Sequence, residues 1–223
     1  MLPRLQAIVF DFNGTLSADE ALLAAIYATL MAREGRPLSP ADYARELAGN
    51  TDEAIFARWL GLDEGSGRVS RLTRERIAAY RGLASDGAPV TDPARQAVLL
   101  AAAHVPVAVA SGAAREEIEP VLAAAGLGAV LTTIVAAGDV VHGKPHPETY
   151  QRAVAALEAV AGCRLDPAAV LAFEDTEAGI RSAKGAGLRC VAVRGTLPDE
   201  RLREADEIVP TLSPTVVARL LAG

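Results

Sequence analysis

Ala7-Ile8-Val9-Phe10-Asp11-Phe12-Asn13-Gly14-Thr15-Leu16 is the stretch on which the fold turns. Four consecutive apolar residues read as a short strand buried on both faces. The position after such a strand lifts Asp11 from the core edge into a loop. Gly14 lets that loop turn sharply, and Thr15 sets a hydroxyl beside the acid. Two positions beyond Asp11, where a second acid would complete a pair of nucleophile and proton shuttle, the chain carries Asn13.

From Ser17 to about Pro89 there is no strand pattern. Leu22, Leu23, Ile26, Tyr27, Leu30 and Met31 recur at helical spacing, and Gly35 with Pro37 ends that segment. Ser39-Pro40-Ala41-Asp42 supplies an N-cap, a first-turn proline and an acid for the helix dipole, for a helix ending near Gly49. Thr51-Asp52-Glu53 opens a third helix that stops before Gly61, and Arg68 to Arg81 forms a fourth. After Asp92-Pro93 helix signals alternate with apolar runs at Val105 to Ala110, Val130 to Val135, Val170 to Phe173 and Arg189 to Val193; Glu207 to Val209 is a weaker edge run. Strands alternating with helices predict a doubly wound parallel α/β sheet covered on both faces. The first strand precedes the helical block, so that block is expected to be an insertion: a core of residues 1–16 and 90–223 and a helical bundle of residues 17–89.

The 223 residues suffice for one domain with an insertion, and 51% hydrophobic content excludes general disorder. A net charge of -6 and a pI near 5.2 argue against nucleic acid or an anionic membrane as partner, though not against a small anion. Cys163 and Cys190 lack a metal-ligand spacing and are expected to be buried free thiols in a reducing compartment. Met1-Leu2-Pro3-Arg4 runs into a brief apolar strand and then Asp11, with no h-region or cleavage site in that stretch, so no targeting segment is expected. Ala97 to Ala114 is the longest apolar stretch, but His104, Pro106 and Ser111 break it into helix, turn, strand and loop. A soluble cytoplasmic protein, monomer or weak homodimer, is expected. Only Lys144 and Lys184 interrupt an otherwise all-arginine set of basic residues, which makes a well-placed lysine informative.

Ligands of such sheets sit beyond the carboxyl ends of the strands. There the sequence delivers, in order, Asp11 and its loop; Ser111-Gly112 ahead of a helix N-terminus; Gly143-Lys144-Pro145-His146-Pro147; and Glu174-Asp175-Thr176. Each alone has an ordinary structural explanation as turn, solvated lysine or helix cap. Together, carboxylate, hydroxyl and N–H donors, ammonium and a second acidic pair suit phosphoryl transfer. A hard divalent ion such as Mg²⁺ takes oxygen ligands, and an anionic nucleophile approaches a phosphate dianion only where that charge is screened.

On Asp11-Phe12-Asn13-Gly14-Thr15-Leu16, Ser111-Gly112, Gly143-Lys144-Pro145-His146-Pro147-Glu148 and Glu174-Asp175-Thr176, nearly the whole chain resembles the haloacid dehalogenase superfamily, within it the phosphatases and phosphomutases with a helical cap. The resemblance implies that Asp11 attacks phosphorus to form an aspartyl-phosphate. It implies Mg²⁺ held by Asp11, Asp175 and the Asn13 carbonyl, with Glu174 contributing directly or through water. Thr15, Ser111, Gly112 and Lys144 are then phosphate-binding, Lys144 also bridging nucleophile and phosphate, and the cap closes over a small phosphorylated metabolite.

Phosphatases of this family usually carry aspartate in place of Asn13, to protonate the leaving alcohol and then activate water. An amide keeps the backbone ligand but does not exchange a proton at neutral pH, and losing such help costs on the order of 10²–10⁴ in rate. Three explanations stand side by side. The chain is a slow or specialised phosphatase in which a good leaving group or another base, such as His142 or His146, compensates. Alternatively it is a catalytically impaired, phosphate-binding relative. In the third, Asn13-Gly14 deamidates and yields a latent aspartate. A 2-haloacid dehalogenase, attacking carbon, would have no use for Glu174-Asp175, and nothing in the cap marks a phosphomutase. Arg45, Asn50, Arg58 and Trp59 are cap candidates most simply read as solvated or packing residues.

Overall fold

The strand expected from the opening stretch is β1, Ala7–Phe10, every residue of it buried. In this computed structural model, which describes residues 4–223, Met1-Leu2-Pro3 lie outside the described residues. Four helical segments follow β1: α1 (Glu20–Arg33), α2 (Pro40–Asp42) running into a π-helical turn over Tyr43–Leu47, α3 (Asp52–Leu60) and α4 (Gly67–Ala84). Their starts obey local chemistry. Ser39, Thr51 and Ser66 are in extended backbone and accept from the N–H groups of Asp42, Ala54 and Val69, and Gly61 ends α3 in the left-handed region.

The alternating half continues as α5 (Asp92–Ala102), β2 (Val107–Ala110), α6 (Arg115–Ala124), β3 (Thr133–Val135), α7 (Glu148–Ala161), β4 (Val170–Glu174), α8 (Glu177–Gly185), β5 (Arg189–Val193), α9 (Asp199–Leu202), β6 (Glu207–Val209) and α10 (Pro214–Leu221). All six strands are parallel, in the order β3-β2-β1-β4-β5-β6. The chain winds outward from β1 in one direction through β2 and β3, then in the other through β4, β5 and β6. A crevice opens beyond the strand ends where that direction reverses, between β1 and β4. In register, Phe10 lies opposite Phe173, and their rings stack at 5.4 Å. Asp11 donates its N–H to the Phe173 carbonyl at 2.9 Å, so Asp11 and Glu174 emerge side by side at that crevice.

The helices between β1 and α5 pack α1 and α3 against α4, and α4 also packs on α6. Both chain crossings into this bundle are tied together, Ala18 donating to the Pro89 carbonyl at 2.9 Å. Arg76 of α4 is buried and pairs with Asp52 of α3 and with Glu117 of α6, an ionic joint between bundle and sheet.

The expected strand over Val130 to Val135 is formed only by its last three residues, the first part being a turn. Cys190 is buried on β5, but Cys163 is exposed, which corrects the expectation of two buried thiols. Cys163 follows Gly162, the left-handed cap of α7, and so lies in a surface turn off the sheet. Among the described residues no helix is long and apolar enough to cross a membrane.

Candidate active site

Asp11, Ser111-Gly112, Lys144 and Asp175, expected at the ends of successive strands, line one cavity of about 310 Å³. The bundle closes its other side with Glu20, Tyr27, Tyr43, Asn50, Asp52 and Arg76. The Lys144 ammonium lies 2.5 Å from Asp11 Oδ1 and 2.5 Å from Glu174 Oε1. Asp11, Glu174 and Asp175, all buried, each bring a carboxylate oxygen within 4.8 Å of the others.

Three buried carboxylates against one ammonium leave surplus negative charge. Burial raises Asp11 to about 7, with Glu174 adding to the rise and Lys144 opposing it. Burial, then Asp11 and Glu174, push Asp175 well above the carboxylate range. Lys144 stays protonated: burial works against its charge, but the two carboxylates outweigh burial and raise it. An all-oxygen cluster that one ammonium leaves short of positive charge is a donor set of the kind a hard cation takes. Gly14, with φ +74°, passes so close that a Cβ there would collide with the Asp175 carboxylate, so the loop is shaped around this cluster.

Glu174, expected at the metal directly or through water, accepts from Lys144 and from Tyr150 (2.8 Å) on one oxygen, and from Asp175 N–H (3.1 Å), Thr176 N–H (3.3 Å) and Thr176 Oγ1 (3.1 Å) on the other. Five donors on two oxygens favour the water-mediated of the two expected contributions. Its geometry is that of a strut that orients Lys144 and anchors the Asp175 loop. Thr15, expected at phosphate, instead directs its hydroxyl to Asp175 Oδ1 at 3.4 Å and does not line the cavity. The Ser111 hydroxyl accepts from the Ala113 N–H at 3.0 Å, which leaves its own proton to donate.

Asn13 is in the cavity wall, and its amide is fixed. Nδ2 donates to Asp19 Oδ2 at 2.7 Å, while the Gly14 N–H donates to Asp19 Oδ1 at 3.2 Å and to the Ser17 carbonyl at 2.8 Å. Asp19 also accepts from Ser17 Oγ at 2.6 Å and Tyr80 OH at 2.5 Å. Burial raises its carboxyl, and the Ser17, Tyr80, Asn13 and Gly14 donors pull the other way.

His142 and His146 are exposed and lie outside the cavity wall, where His142 Nδ1 meets Glu148 at 3.2 Å. Of the cap candidates, Asn50 lines the cavity. Arg45 and Arg58 are exposed, and Trp59 donates to the Arg36 carbonyl at 2.9 Å. Sequence reasoning missed Thr196, whose hydroxyl donates to Asp175 Oδ2, although the strand-end rule applied to β5 leads to Arg194-Gly195-Thr196. It also missed Tyr150, Asp19 and Glu20, for which no strand end gives a signal.

The fold and this site define a class. The chain matches the haloacid dehalogenase-like hydrolase family over residues 5–187 and belongs to it. It is 32% identical to validoxylamine A 7'-phosphate phosphatase of Streptomyces hygroscopicus subsp. limoneus, over 92% of this chain and 93% of that one. It is also similar to the crystal structure of CbbY from Rhodobacter sphaeroides in complex with phosphate, with TM-score 0.77 and 25% identity over 93% and 95% of the two chains. A variant of that CbbY in complex with xylulose-(1,5)bisphosphate superposes with TM-score 0.78 at 25% identity, with the same coverage.

Proposed function

We propose that this chain is a Mg²⁺-dependent phosphatase of a small phosphorylated metabolite, working through an aspartyl-phosphate on Asp11. The observation that carries the proposal is the convergence of Asp11, Ser111-Gly112, Lys144 and Asp175 on one cavity under a helical cover. Relatives whose names or complexes include phosphorylated small molecules support the same class. Residues 17–89 act as the cap over a core of 1–16 and 90–223, hinged where Ala18 meets Pro89.

Asp11, Asp175 and the Asn13 carbonyl would hold Mg²⁺, which supplies positive charge to the phosphate oxygens and to the acidic cluster. Lys144, oriented by Asp11 and Glu174, neutralises the incoming phosphate beside the nucleophile. Ser111 Oγ and the Gly112 N–H, ahead of α6, donate to the remaining phosphate oxygens. Thr15 and Thr196 hold the Asp175 carboxylate in one orientation. The bundle excludes water from Asp11 until the leaving group has departed.

The competing reading is a phosphate-binding protein without turnover, and Asn13 is what favours it. Release of inorganic phosphate from a panel of phosphate monoesters, with Mg²⁺ and with EDTA, separates the two. Turnover that needs the metal and vanishes in Asp11→Asn supports the phosphatase. Saturable phosphate binding without turnover of any ester establishes the binding protein.

A further inference from the structure

Position 13 offers no exchangeable proton, yet the cavity has carboxyl groups beyond the metal-type cluster. Most are already committed. Asp52 accepts from Tyr27 on one oxygen and from Arg76 on the other. Glu117 is not in the cavity wall and is held by Arg76 and by the Ala114 N–H at 3.2 Å. Asp19 receives four donors and is not in the cavity wall, and Glu53 is exposed at the rim. Glu20, the first residue of α1, differs from all of these. It lines the cavity, one oxygen accepts from Tyr43 OH at 2.9 Å, and Oε1 takes no hydrogen bond among the described residues.

We propose that Glu20 is the proton donor and acceptor of the reaction, in the role that the Asn13 amide cannot fill. This rests on the phosphatase reading above. Asp11 attacks phosphorus through a carboxylate oxygen; the phosphorus–oxygen ester bond breaks, and its electron pair goes to the leaving oxygen. That oxygen takes the proton of the Glu20 carboxylic acid, which leaves Glu20 as carboxylate. The carboxylate then removes a proton from a water molecule whose oxygen attacks the same phosphorus. The bond to Asp11 breaks, its electron pair returns to the Asp11 carboxylate, and inorganic phosphate leaves with Glu20 again protonated.

The surroundings suit a group that must hold and release a proton near neutrality. Burial raises Glu20 to about 7, the Tyr43 hydrogen bond opposes the rise and the Asp19 carboxylate adds to it. The groups that act on it are Asp19 on its own segment and Tyr43 on the π-helical turn, and it in turn raises the Asp175 carboxyl beyond β4; Asp11, Lys144, Asp52, Glu53 and Arg76 share the cavity wall with it. Asp52 and Arg76 compensate each other. Because Glu20 sits on the bundle, the proton is delivered only when the bundle covers the strand ends.

The test uses 4-nitrophenyl phosphate and phenyl phosphate with Mg²⁺, comparing the wild type with Glu20→Gln, Tyr43→Phe and Asp11→Asn across pH 5–9. Glu20→Gln is expected to lose about 10²–10⁴ in kcat on phenyl phosphate. On 4-nitrophenyl phosphate, whose leaving group needs no proton, it keeps a stoichiometric burst of nitrophenolate followed by slow turnover. Tyr43→Phe removes the hydrogen bond that favours ionised Glu20, so it shifts the pH profile upward. Glu20→Gln turning over at the wild-type rate with an unchanged pH profile, while Asp11→Asn is dead, overturns the assignment and leaves the phosphatase standing. Full activity of Asp11→Asn overturns both.

Discussion

Replacing Asn13 by aspartate, the residue the family usually carries, is expected to damage this protein. The Asn13 amide donates to a buried Asp19 that three further donors hold in place. Asn13→Asp turns that 2.7 Å contact into two facing carboxylates, about 6 kcal/mol of repulsion at an effective dielectric near 20. Protonating one of them relieves the repulsion, and an acid of ordinary pKa near 4 costs about 1.4 kcal/mol for each pH unit above that value. The penalty is therefore at most about 5.5 kcal/mol at pH 8 and about 1.5 kcal/mol at pH 5, and it is smaller because burial already raises the Asp19 carboxyl and makes it the easier one to protonate. A pH 8 loss of about 3 kcal/mol is a Tm decrease of about 6–12 °C for a chain of this size. Thermal and urea unfolding at both pH values measure it. Asn13→Asp combined with Asp19→Asn, which restores one donor and one acceptor, should recover most of the loss. An Asn13→Asp protein as stable as the wild type at pH 8 would refute the reasoning, because the amide would then not be bound to Asp19 in the way described.

Lys144→Met strands Asp11 and Glu174 without their cation; it should abolish turnover and cost about 3–5 kcal/mol at pH 8, less at pH 5, by urea unfolding. Asn13-Gly14 should resist deamidation in the folded protein, since the Gly14 N–H is bonded to the Ser17 carbonyl and the side chain to Asp19. Peptide mapping of aged native protein should retain asparagine while the unfolded chain converts, and equal rates in both would contradict this. Glu20, raised from 4.5 to about 7, contributes stability that is fully present below pH 4.5 and is lost as pH rises through 7. Glu20→Gln should remove a slope worth about 2–3 kcal/mol between those limits, read from urea unfolding against pH.

Much of this architecture was legible in order along the chain. Short apolar runs ending in Asp11, Ser111 and Asp175 carried both the sheet and its reactive edge, because a parallel strand is buried on both faces and releases its next residue at one rim. Gly61 and the hydroxyls of Ser39, Thr51 and Ser66 marked helix ends through local hydrogen bonding. The π-helical turn at Tyr43–Leu47 had no such signature, and neither did the shortening of β3 to Thr133–Val135.

Local sequence determines what a residue can offer: a carboxylate, a turn, a strand of given length. By itself it pointed to the family core and to the four segments that the structure brings to one cavity. Only tertiary packing decided how those offers are used. It committed both oxygens of Glu174 to holding Lys144 and the Asp175 loop, turned Thr15 toward Asp175, bound the Asn13 amide to Asp19, and left one oxygen of Glu20 without a hydrogen bond among the described residues. The physical reason is that hydrogen-bond saturation and desolvation depend on every neighbour within a few ångströms. Many of those neighbours, such as Tyr150, Thr196 and Tyr80, come from distant parts of the chain.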